Sequence, residues 1–391
     1  MQDVVIIGAA RTAIGKFGGS LKDVPATQLG SVVIVEAVRR SGLQGSDIQE
    51  CLMGNVLSAS LGQNPARQAA VGAELPVEIG STTINKVCGS GMKSVMFAAN
   101  AIKAEEYEVI VAGGMENMNA APYLLKQARF GYRLNDNKIV DHMVHDGLWD
   151  IFNDMHMGHT AEIVAERFKV TREQADLLSY QSHVKALKAQ AEGRFQKEIV
   201  PVVMKGKKGD TVFDKDEGIR PDTTVEALAK LQPAFRKDGM VTAGNSSQLS
   251  DGAAALVVCS RRYAEGKGIK PLAEIVGYAT GGTRPEWIME APIPATRKLL
   301  STLKMDIGEI DLFEHNEAFA TASVAVRSEL KVPEDRFNVN GGAIALGHPI
   351  GCSGARLLVS LIYALKDQKK RTGLATLCLG GGNAVSMVVR V

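Results

Sequence analysis

Short apolar runs alternate along the chain with amphipathic segments of helical period. Residues 4–7 form an apolar run closed by Gly8, and residues 109–111 form another, closed by a pair of glycines. Between them, residues 29–38 place apolar side chains at helical spacing. This alternation is typical of mostly parallel sheets joined by crossover helices. We therefore predict an α/β protein whose strands end at these glycines.

Residues 117–240 depart from the alternation because they are rich in charged side chains. Within them, residues 160–168 and 172–194 show helical patterns. We interpret this stretch as a lobe inserted into the α/β framework.

Two distant segments share one order of features, which indicates an internal duplication. Residues 88–114 and residues 351–381 each contain a Gly-rich turn, a helical pattern, a polar turn, a strand pattern and a final Gly-Gly. A duplication predicts two similar α/β lobes related by a pseudo-twofold axis. Equivalent helix N-termini could then face a shared site.

Length and composition agree with this plan. A chain of 391 residues exceeds one ordinary core and indicates two or three lobes. The 40 glycines and the 5% of aromatic residues fit many tight turns between strands and helices.

The charge pattern argues against several classes of partner. A net charge of +2 without a long basic block does not favour a nucleic-acid binder. We interpret one small basic cluster, formed by Lys205, Lys207 and Lys208, as a solvated turn. No apolar run reaches ~20 residues, so no membrane span is predicted.

The N-terminus and the cysteines indicate the cellular compartment of the protein. The N-terminus enters a strand pattern at once, so no signal or transit peptide is predicted. Five scattered cysteines without a CxxC pair indicate a reduced compartment rather than a disulfide framework. We therefore expect a cytoplasmic protein.

Cys88 is the first candidate for chemistry. It precedes a Gly-Ser-Gly turn and the start of a helical pattern. Free N–H groups and the dipole at a helix N-terminus favour an anion, and can lower the pKa of a thiol there. Cys88 is therefore a candidate nucleophile, although a lone cysteine is more often a small buried apolar residue.

A nucleophilic thiol needs a base, and His348 is the best-placed histidine. It lies in a second Gly-rich loop that leads into the duplicated helix, so pseudo-symmetry could bring it near Cys88. Two histidine pairs have i, i+3 spacing, but a hydrogen-bonded face is favoured over a metal site. These pairs are His142 with His145 and His156 with His159.

Two further stretches place polar groups after strand patterns. In the stretch LFEHNEAFA, residues 312–320, Asn316 and Glu317 follow an apolar strand pattern. Cys378 lies in a strand pattern just before three glycines, whose backbone could offer N–H donors.

Taken together, four motifs resemble those of the thiolase family: NKVCGSGMKSV, NEAFA, GGAIALGHPIGCSGAR and CLGGG. They occur in order, and the resemblance runs from the N-terminus to residue 391. It implies an enzyme that cleaves and forms thioesters with coenzyme A as substrate and product, without a metal or a tightly bound cofactor. It also implies two pseudo-duplicated lobes in a five-layered α/β arrangement, with the inserted loop domain over the site.

The resemblance implies a role for each catalytic candidate. Cys88 would become acylated, and His348 would take its proton. Cys378 would be the acid/base at the α-carbon of the second acetyl group. Asn316 would hold a water that, with His348, stabilises one thioester oxygen. The backbone N–H groups of Cys88 and Gly380 would form the second oxyanion site.

The coenzyme contacts are likewise implied by the resemblance. Ser247 would contact the pantetheine arm and Arg220 the nucleotide end. The tunnel would be lined by Leu148, His156, Met157, Phe235, Ala243, Ala318 and Phe319. The His-Met-Gly sequence at 156–158 resembles the short-chain, acetoacetyl-CoA type, in which Met157 limits acyl length.

The sequence departs from the family pattern at two places. Asn383 and Ala384 follow the triple glycine where relatives usually carry Gln or Met and then Gly, which puts substrate range or rate in doubt. Cys352 stands where Ala is common, and is either inert or sensitive to oxidation.

Three alternatives remain beside an acetyl-CoA C-acetyltransferase. One is a 3-ketoacyl-CoA thiolase for broader or longer chains. Another is a β-ketoacyl synthase-like enzyme, against which Asn316 and Cys378 weigh because that class has two histidines in the site. The third is a non-catalytic acyl-CoA-binding relative, which would be expected to lose the nucleophile or the histidine.

The resemblance also implies domain limits and an assembly. We assign residues 1–116 and 241–269 to an N-terminal lobe, 117–240 to the loop domain and 270–391 to a C-terminal lobe. A homotetramer is expected, built as a dimer of dimers, with part of residues 117–145 as its tetramer arm.

Overall fold

The computed structural model describes residues 2–206 and 209–391. Lys207 and Lys208, part of the predicted basic turn, lie outside the described residues. The strands are β1 Val4–Thr12, β2 Gly15–Lys16, β3 Glu50–Gly54, β4 Gly80–Ile84, β5 Val109–Asn117, β6 Tyr123–Leu124, β7 Val140–Asp141, β8 Trp149–Asp150, β9 Met155–His156, β10 Ile199–Val200, β11 Val202–Met204, β12 Thr211–Phe213, β13 Ser250–Ser260, β14 Ala273–Gly282, β15 Leu312–His315, β16 Thr372–Leu379 and β17 Asn383–Arg390.

The α-helices follow the predicted amphipathic segments, and local capping sets several of their ends. Thr171 and Gln174 form a capping box at the start of α5, and Gly42 ends α1 with a left-handed φ of 76°. The helices are α1 Ala26–Ser41, α2 Pro65–Gly72, α3 Ser90–Lys103, α4 Met157–Phe168, α5 Arg172–Ala191, α6 Val225–Ala229, α7 Arg261–Gly266, α8 Pro292–Leu303, α9 Ala320–Glu329, α10 Ala343–Leu346 and α11 Ile350–Asp367.

The sheet has two halves with the same topology. In one half β1 pairs antiparallel with β13, β13 antiparallel with β5, and β5 parallel with β3. In the other half β14, β17, β16 and β15 repeat these directions in the same order. Only a short antiparallel pairing of the equivalent strands β1 and β14 joins the halves. The predicted duplication is therefore confirmed.

Alternating side chains place the sheet halves within five layers. Along β1, Val5 and Ile7 pack with α1 and α2, whereas Val4 and Ile6 pack with α3 and α11. The same core that contains α3 and α11 includes β16 and β17 of the second half. α8 packs on the far side of that half. The order is helices, sheet, α3 with α11, sheet, helices, as expected.

The two central helices meet where each has a glycine. A Cβ on Gly91 of α3 would lie 2.8 Å from the backbone nitrogen of Ala355 in α11. Reciprocally, a Cβ on Gly354 of α11 would lie 2.4 Å from the backbone nitrogen of Met92 in α3. The N-terminal turns of both helices can approach this closely only because both positions lack a side chain. The duplicated Ser-Gly pairs thus bring both Gly-rich loops to one place.

Two predictions about the strands were wrong. β1 continues through Gly8 and β5 through Gly113, because these glycines serve close packing rather than chain reversal. A Cβ on Gly8 would lie 2.1 Å from the carbonyl oxygen of Ala37 in α1. The sheet is also less parallel than predicted, since β13 and β17 are each inserted antiparallel between two other strands.

The predicted inserted stretch contains short strands with helices α4, α5 and α6. The two predicted helical patterns correspond to α4 and α5, although α5 ends before residue 194. The proposed limits of the three domains stay a prediction. Among the helices of the described residues, none has both the length and the apolar character needed to cross a membrane.

Candidate active site

A cavity of about 290 Å³ lies where the two Gly-rich loops meet the inserted stretch. Most of the predicted site residues line it. These are Cys88, His348, Cys378, Gly380, Leu148, His156, Met157, Phe235, Ser247, Ala318 and Phe319. Three predicted residues do not line it, namely Asn316, Arg220 and Ala243.

Cys88 is presented by a strained turn just before α3. Val87 has a φ of 48°, which is unusual for a β-branched residue and costs on the order of 1–3 kcal/mol. The turn is held by the side chain of Ser90, which accepts from the Lys86 N–H and donates to the Val87 carbonyl. Strain of this kind that the surroundings hold in place is common at active sites.

The pKa of Cys88 moves in the opposite direction to our prediction. Burial raises it to about 12, although the backbone N–H groups of Cys88 and Gly380 lower it. Removing water from the thiolate outweighs the helix N-terminus, because the sulfur is enclosed by protein on the cavity wall. The resting thiol is therefore neutral and needs a base. The N–H groups of Cys88 and Gly380 converge on one spot, as an oxyanion site requires.

His348 is held as a neutral base with a defined tautomer. Its Nδ1 lies 2.6 Å from Oγ of Ser353, and that hydroxyl donates its only hydrogen to the carbonyl of Pro349 at 2.9 Å. Nδ1 must then carry the proton, which leaves Nε2 as the acceptor. Burial lowers the pKa of His348 to about 3, so the imidazole is uncharged at neutral pH.

Replacing Ser353 by alanine should lower turnover about 100-fold, because the imidazole loses the partner that fixes its basic nitrogen. Unfolding stability should fall by only about 1 kcal/mol. Ser94→Ala is the matched control, since Ser94 is buried on α3 and its hydroxyl donates to the carbonyls of Gly91 or Gly113. Thermal unfolding and turnover should be measured together. Equal losses of turnover in both variants would contradict the tautomer argument.

Asn316 lies behind His348 rather than on the cavity wall. Its Nδ2 is 3.3 Å from Nε2 of His348, which agrees with an acceptor at Nε2. Its Oδ1 is buried without a hydrogen-bond partner among the described residues. Buried amide oxygens are seldom left unpaired. This oxygen is therefore a suitable partner for the water that the resemblance implies.

Cys378 lies at the end of β16 and faces the same cavity as Cys88. Burial raises the pKa of Cys378, and the charge of Cys88 raises it further. Its Sγ lies 3.8 Å from the sulfur of Met289, a contact that the sequence did not reveal. The two thiols are thus close enough to influence each other's protonation. A neutral thiol at this place can donate a proton, and the thiolate that remains can then remove one.

Aromatic side chains form one wall of the cavity. The rings of His156 and Phe235 stack with centroids 4.8 Å apart, and Phe319 meets Phe235 edge-on. A Cβ on Gly158 would lie 2.3 Å from the Phe235 ring, so glycine is required in the His-Met-Gly sequence. Met157 is buried beside this wall. That it limits acyl length stays a prediction.

Two of the predicted coenzyme contacts lie on the surface. Arg220 and Ala243 are exposed, outside the cavity lining. The Arg220 backbone N–H donates to Nδ1 of His183 at 3.2 Å. Ser247 lines the cavity, and its N–H donates to the carbonyl of Ala318. Roles for these residues stay predictions.

The structure limits the effect of the departures from the family pattern. Ala384 packs against Ala291 and Ala295, and it does not line the cavity. Asn383 accepts a hydrogen bond from Lys86. Cys352 is buried in α11, and burial raises its pKa to about 12, which favours an inert thiol.

Three of the four histidines in these pairs make hydrogen bonds, whereas Nδ1 of His159 is buried without a partner among the described residues. His142 pairs with Asp146, and His145 lies 2.7 Å from Nζ of Lys126. Nδ1 of His156 accepts from the Gly158 N–H. Within residues 2–206 and 209–391, no three His, Cys, Asp or Glu side chains are grouped as a metal site would need.

Sequence reasoning did not identify Met289 or Ser353. Met289 is distant in the chain from Cys378 and does not belong to any of the motifs. Ser353 could have been noticed, because a serine in the first turn of a helix can bond to a histidine just before that helix.

The duplicated five-layered fold, with two thiols and a neutral histidine on one cavity, defines a class of α/β proteins. Models of the thiolase N-terminal and C-terminal domains match residues 4–262 and 269–391. The chain therefore belongs to the thiolase family, and the β-ketoacyl synthase-like alternative falls away.

Similar proteins agree over the full length. An acetyl-CoA acetyltransferase of Syntrophomonas wolfei is 50% identical, with 99% of each chain covered. A probable acetyl-CoA acyltransferase of Staphylococcus aureus is 49% identical, covering 100% of this chain and 99% of that protein. The crystal structure of the Bacillus anthracis acetyl-CoA acetyltransferase is 44% identical and superposes with a TM-score of 0.98, covering 100% of this chain and 99% of that one.

Proposed function

We propose that this protein is an acetyl-CoA C-acetyltransferase. It would interconvert two acetyl-CoA with acetoacetyl-CoA and CoA through an acyl-cysteine in a ping-pong sequence. The observation that carries the proposal is the single cavity lined by both Cys88 and Cys378, with His348 between the Gly-rich loops. The names of relatives at about half identity support it.

In the first half-reaction, Nε2 of His348 takes the proton of Cys88, and the thiolate attacks the thioester carbonyl of acetyl-CoA. The N–H groups of Cys88 and Gly380 stabilise the oxyanion. CoA leaves as a thiolate that takes the proton of Cys378, so Cys378 becomes a thiolate, the acetyl group stays on Cys88 and Nε2 of His348 keeps its proton. In this scheme the proton transfer from Cys88 and the attack on the carbonyl occur together, because the raised pKa of the buried thiol makes a free thiolate costly.

In the second half-reaction, the Cys378 thiolate removes a proton from the methyl carbon of a second acetyl-CoA. The developing negative charge on its thioester oxygen is stabilised by the proton that Nε2 of His348 took from Cys88 and by a water on Asn316. The resulting carbanion attacks the acetyl carbonyl on Cys88. The carbon–sulfur bond breaks, Cys88 regains its proton from Nε2 of His348, and acetoacetyl-CoA leaves.

A thiolase for longer or broader chains is the second candidate. It is favoured by the Staphylococcus aureus relatives, whose names specify an acyltransferase rather than an acetyltransferase. The narrow aromatic wall beside Met157 favours short chains instead.

The test is CoA-dependent loss of acetoacetyl-CoA by the purified protein, beside the same assay on a long-chain 3-ketoacyl-CoA. Rapid loss of the short substrate alone supports the acetyltransferase. Faster loss of the long substrate supports the second candidate. No loss of either, and no acetyl adduct on incubation with acetyl-CoA, would favour a non-catalytic acyl-CoA-binding relative.

Coenzyme A would bind along the surface and reach the cavity through its mouth. We place its nucleotide end near Arg220, and its pantetheine arm along Ser247 and Ala243, with the aromatic wall around its thiol end. No metal and no tightly bound cofactor take part in these steps. Free thiols at all five cysteines, each within the described residues, support a cytoplasmic enzyme.

We expect a homotetramer assembled through the β6–β7 hairpin and its connecting loop, residues 123–141. This segment exposes large apolar side chains, with Phe130 84% and Leu134 82% exposed. Apolar groups this exposed on one arm are typical of an interface. Sedimentation velocity should show a tetramer, and Phe130→Asp with Leu134→Asp should reduce it to a dimer. An unchanged tetramer in that variant would contradict the predicted arm.

A further inference from the structure

Glu317 is a buried carboxylate beside Asn316 to which the proposed mechanism gives no role. It is 2% exposed and follows β15 directly after Asn316. Its Oε2 accepts from the Ser182 hydroxyl at 2.7 Å and from the Ile344 N–H at 3.3 Å. Its Oε1 accepts from Nδ2 of Asn338 at 2.7 Å.

Two of the donors to Glu317, the side chains of Ser182 and Asn338, have their orientation fixed by further bonds. Oγ of Ser182 accepts from the Gly342 N–H, so its own hydrogen is free to point to Glu317. Asn338 accepts from the His315 N–H through Oδ1, so its Nδ2 must face the His315 carbonyl and Glu317. This surrounding fits an acceptor-only carboxylate.

These bonds join the two segments that carry the predicted oxyanion groups. Asn338 ties Glu317 to the end of β15, where Asn316 begins the next segment. Gly342 and Ile344 lie at the start of the short helix that leads to His348. A Cβ on Gly342 would lie 2.3 Å from the Glu317 carboxyl carbon, so the loop rests directly on the carboxylate.

We propose that Glu317 is a positioning residue that sets the separation of Asn316 and His348 by clamping their two segments together. The inference rests on the proposed function. Because Asn316 Nδ2 and His348 Nε2 are only 3.3 Å apart, a small shift of either segment changes how both could act on one thioester oxygen. Glu317 itself contacts neither the cavity nor a substrate.

If Glu317 holds the two segments together, its replacement should lower the rate of cleavage more than the rate of CoA exchange. Exchange of labelled CoA into acetyl-CoA needs Cys88, His348 and the N–H groups of the second oxyanion site. Cleavage of acetoacetyl-CoA also needs the Asn316 and His348 pair at the thioester oxygen of the leaving group. A displaced pair should therefore slow cleavage more than exchange.

The experiment compares both rates in Glu317→Gln and in the wild type. The amide group keeps the shape of the carboxyl but brings hydrogens toward fixed donors. We expect the ratio of cleavage to exchange to fall about 100-fold, the scale reported for a misplacement of about 1 Å. Equal loss of both rates, or no loss, would overturn the inference.

Glu162→Gln is the matched control. Glu162 is also buried, accepts from the Met240 and Val241 N–H groups, and lies against a glycine, Gly239. It has no bond to the segments of Asn316 or His348, so its ratio of cleavage to exchange should stay within about twofold of the wild type.

Ser182→Ala keeps the test decisive if Glu317→Gln does not fold. It removes one donor without altering the segment of Asn316, and the ratio should fall several-fold in the same direction. An unchanged ratio would overturn the inference. If the wild type itself shows exchange but no cleavage, or neither, the proposed function fails instead.

Discussion

Replacing Cys88 by alanine is expected to abolish acyl transfer. Without the sulfur, no acyl-enzyme forms, so both half-reactions lose their shared intermediate. Loss of a covalent nucleophile lowers turnover by roughly 10⁴- to 10⁶-fold, with residual rate from binding and oxyanion donors. The measurements are acetoacetyl-CoA cleavage and the mass of the protein after incubation with acetyl-CoA. The wild type should gain about 42 mass units from one acetyl group, and the variant should gain no such adduct.

Cys352→Ala is the control for this substitution. Cys352 is likewise a buried thiol near the crossing of the central helices, but it is absent from the cavity wall. Turnover should remain within about twofold of the wild type, a range typical of a tolerated core change. Retention of the acetyl adduct in Cys88→Ala would show that another cysteine is acylated and would overturn the assignment.

Replacing Cys378 by alanine should separate the two half-reactions. Cys88 should still be acetylated by acetyl-CoA, since His348 and the oxyanion donors are intact. Carbon–carbon bond formation and cleavage should fall by about 10²- to 10⁴-fold, the usual contribution of a positioned acid/base. Rapid-quench detection of the acetyl-enzyme, beside steady-state cleavage of acetoacetyl-CoA, measures the two steps separately.

Met289→Leu tests whether the sulfur contact or the packing around Cys378 matters. The change keeps an apolar side chain of similar volume on the cavity wall but removes the partner 3.8 Å from Sγ. Cleavage should change by less than about threefold.

One outcome would contradict the prediction for Cys378→Ala. If acetylation of Cys88 falls as far as cleavage in that variant, then Cys378 supports the nucleophile rather than the α-carbon proton transfer.

The local motifs predicted most of the residues that come together at the candidate site. Cys88, His348, Cys378 and Gly380 line one cavity, and Asn316 touches His348, as the resemblance implied. The direction of the Cys88 pKa could not be predicted, because it depends on how much protein encloses the sulfur. The contact of Ser353 with His348 is local, whereas Glu317 is bonded by Ser182 from a distant segment, and no spacing along the chain reveals such a contact.

Some features of the fold could likewise be predicted from the sequence, and others could not. Period and repeat patterns determined that strands and helices alternate and that the two halves are duplicates, because these properties are local or self-similar. Only the tertiary structure decided that Gly8 and Gly113 lie within strands, since helix and strand backbones pack against them. It also decided that β13 lies antiparallel between β1 and β5.

The sequence by itself determined the chemistry that is available, since the residue types and their motifs supply a thiol, a base and oxyanion donors. The tertiary structure decided how that chemistry is adjusted. Burial keeps Cys88 and His348 neutral, and Ser353 selects the basic nitrogen of His348. Desolvation and hydrogen-bond direction depend on atoms brought together from distant segments, and therefore exist only once the chain is folded.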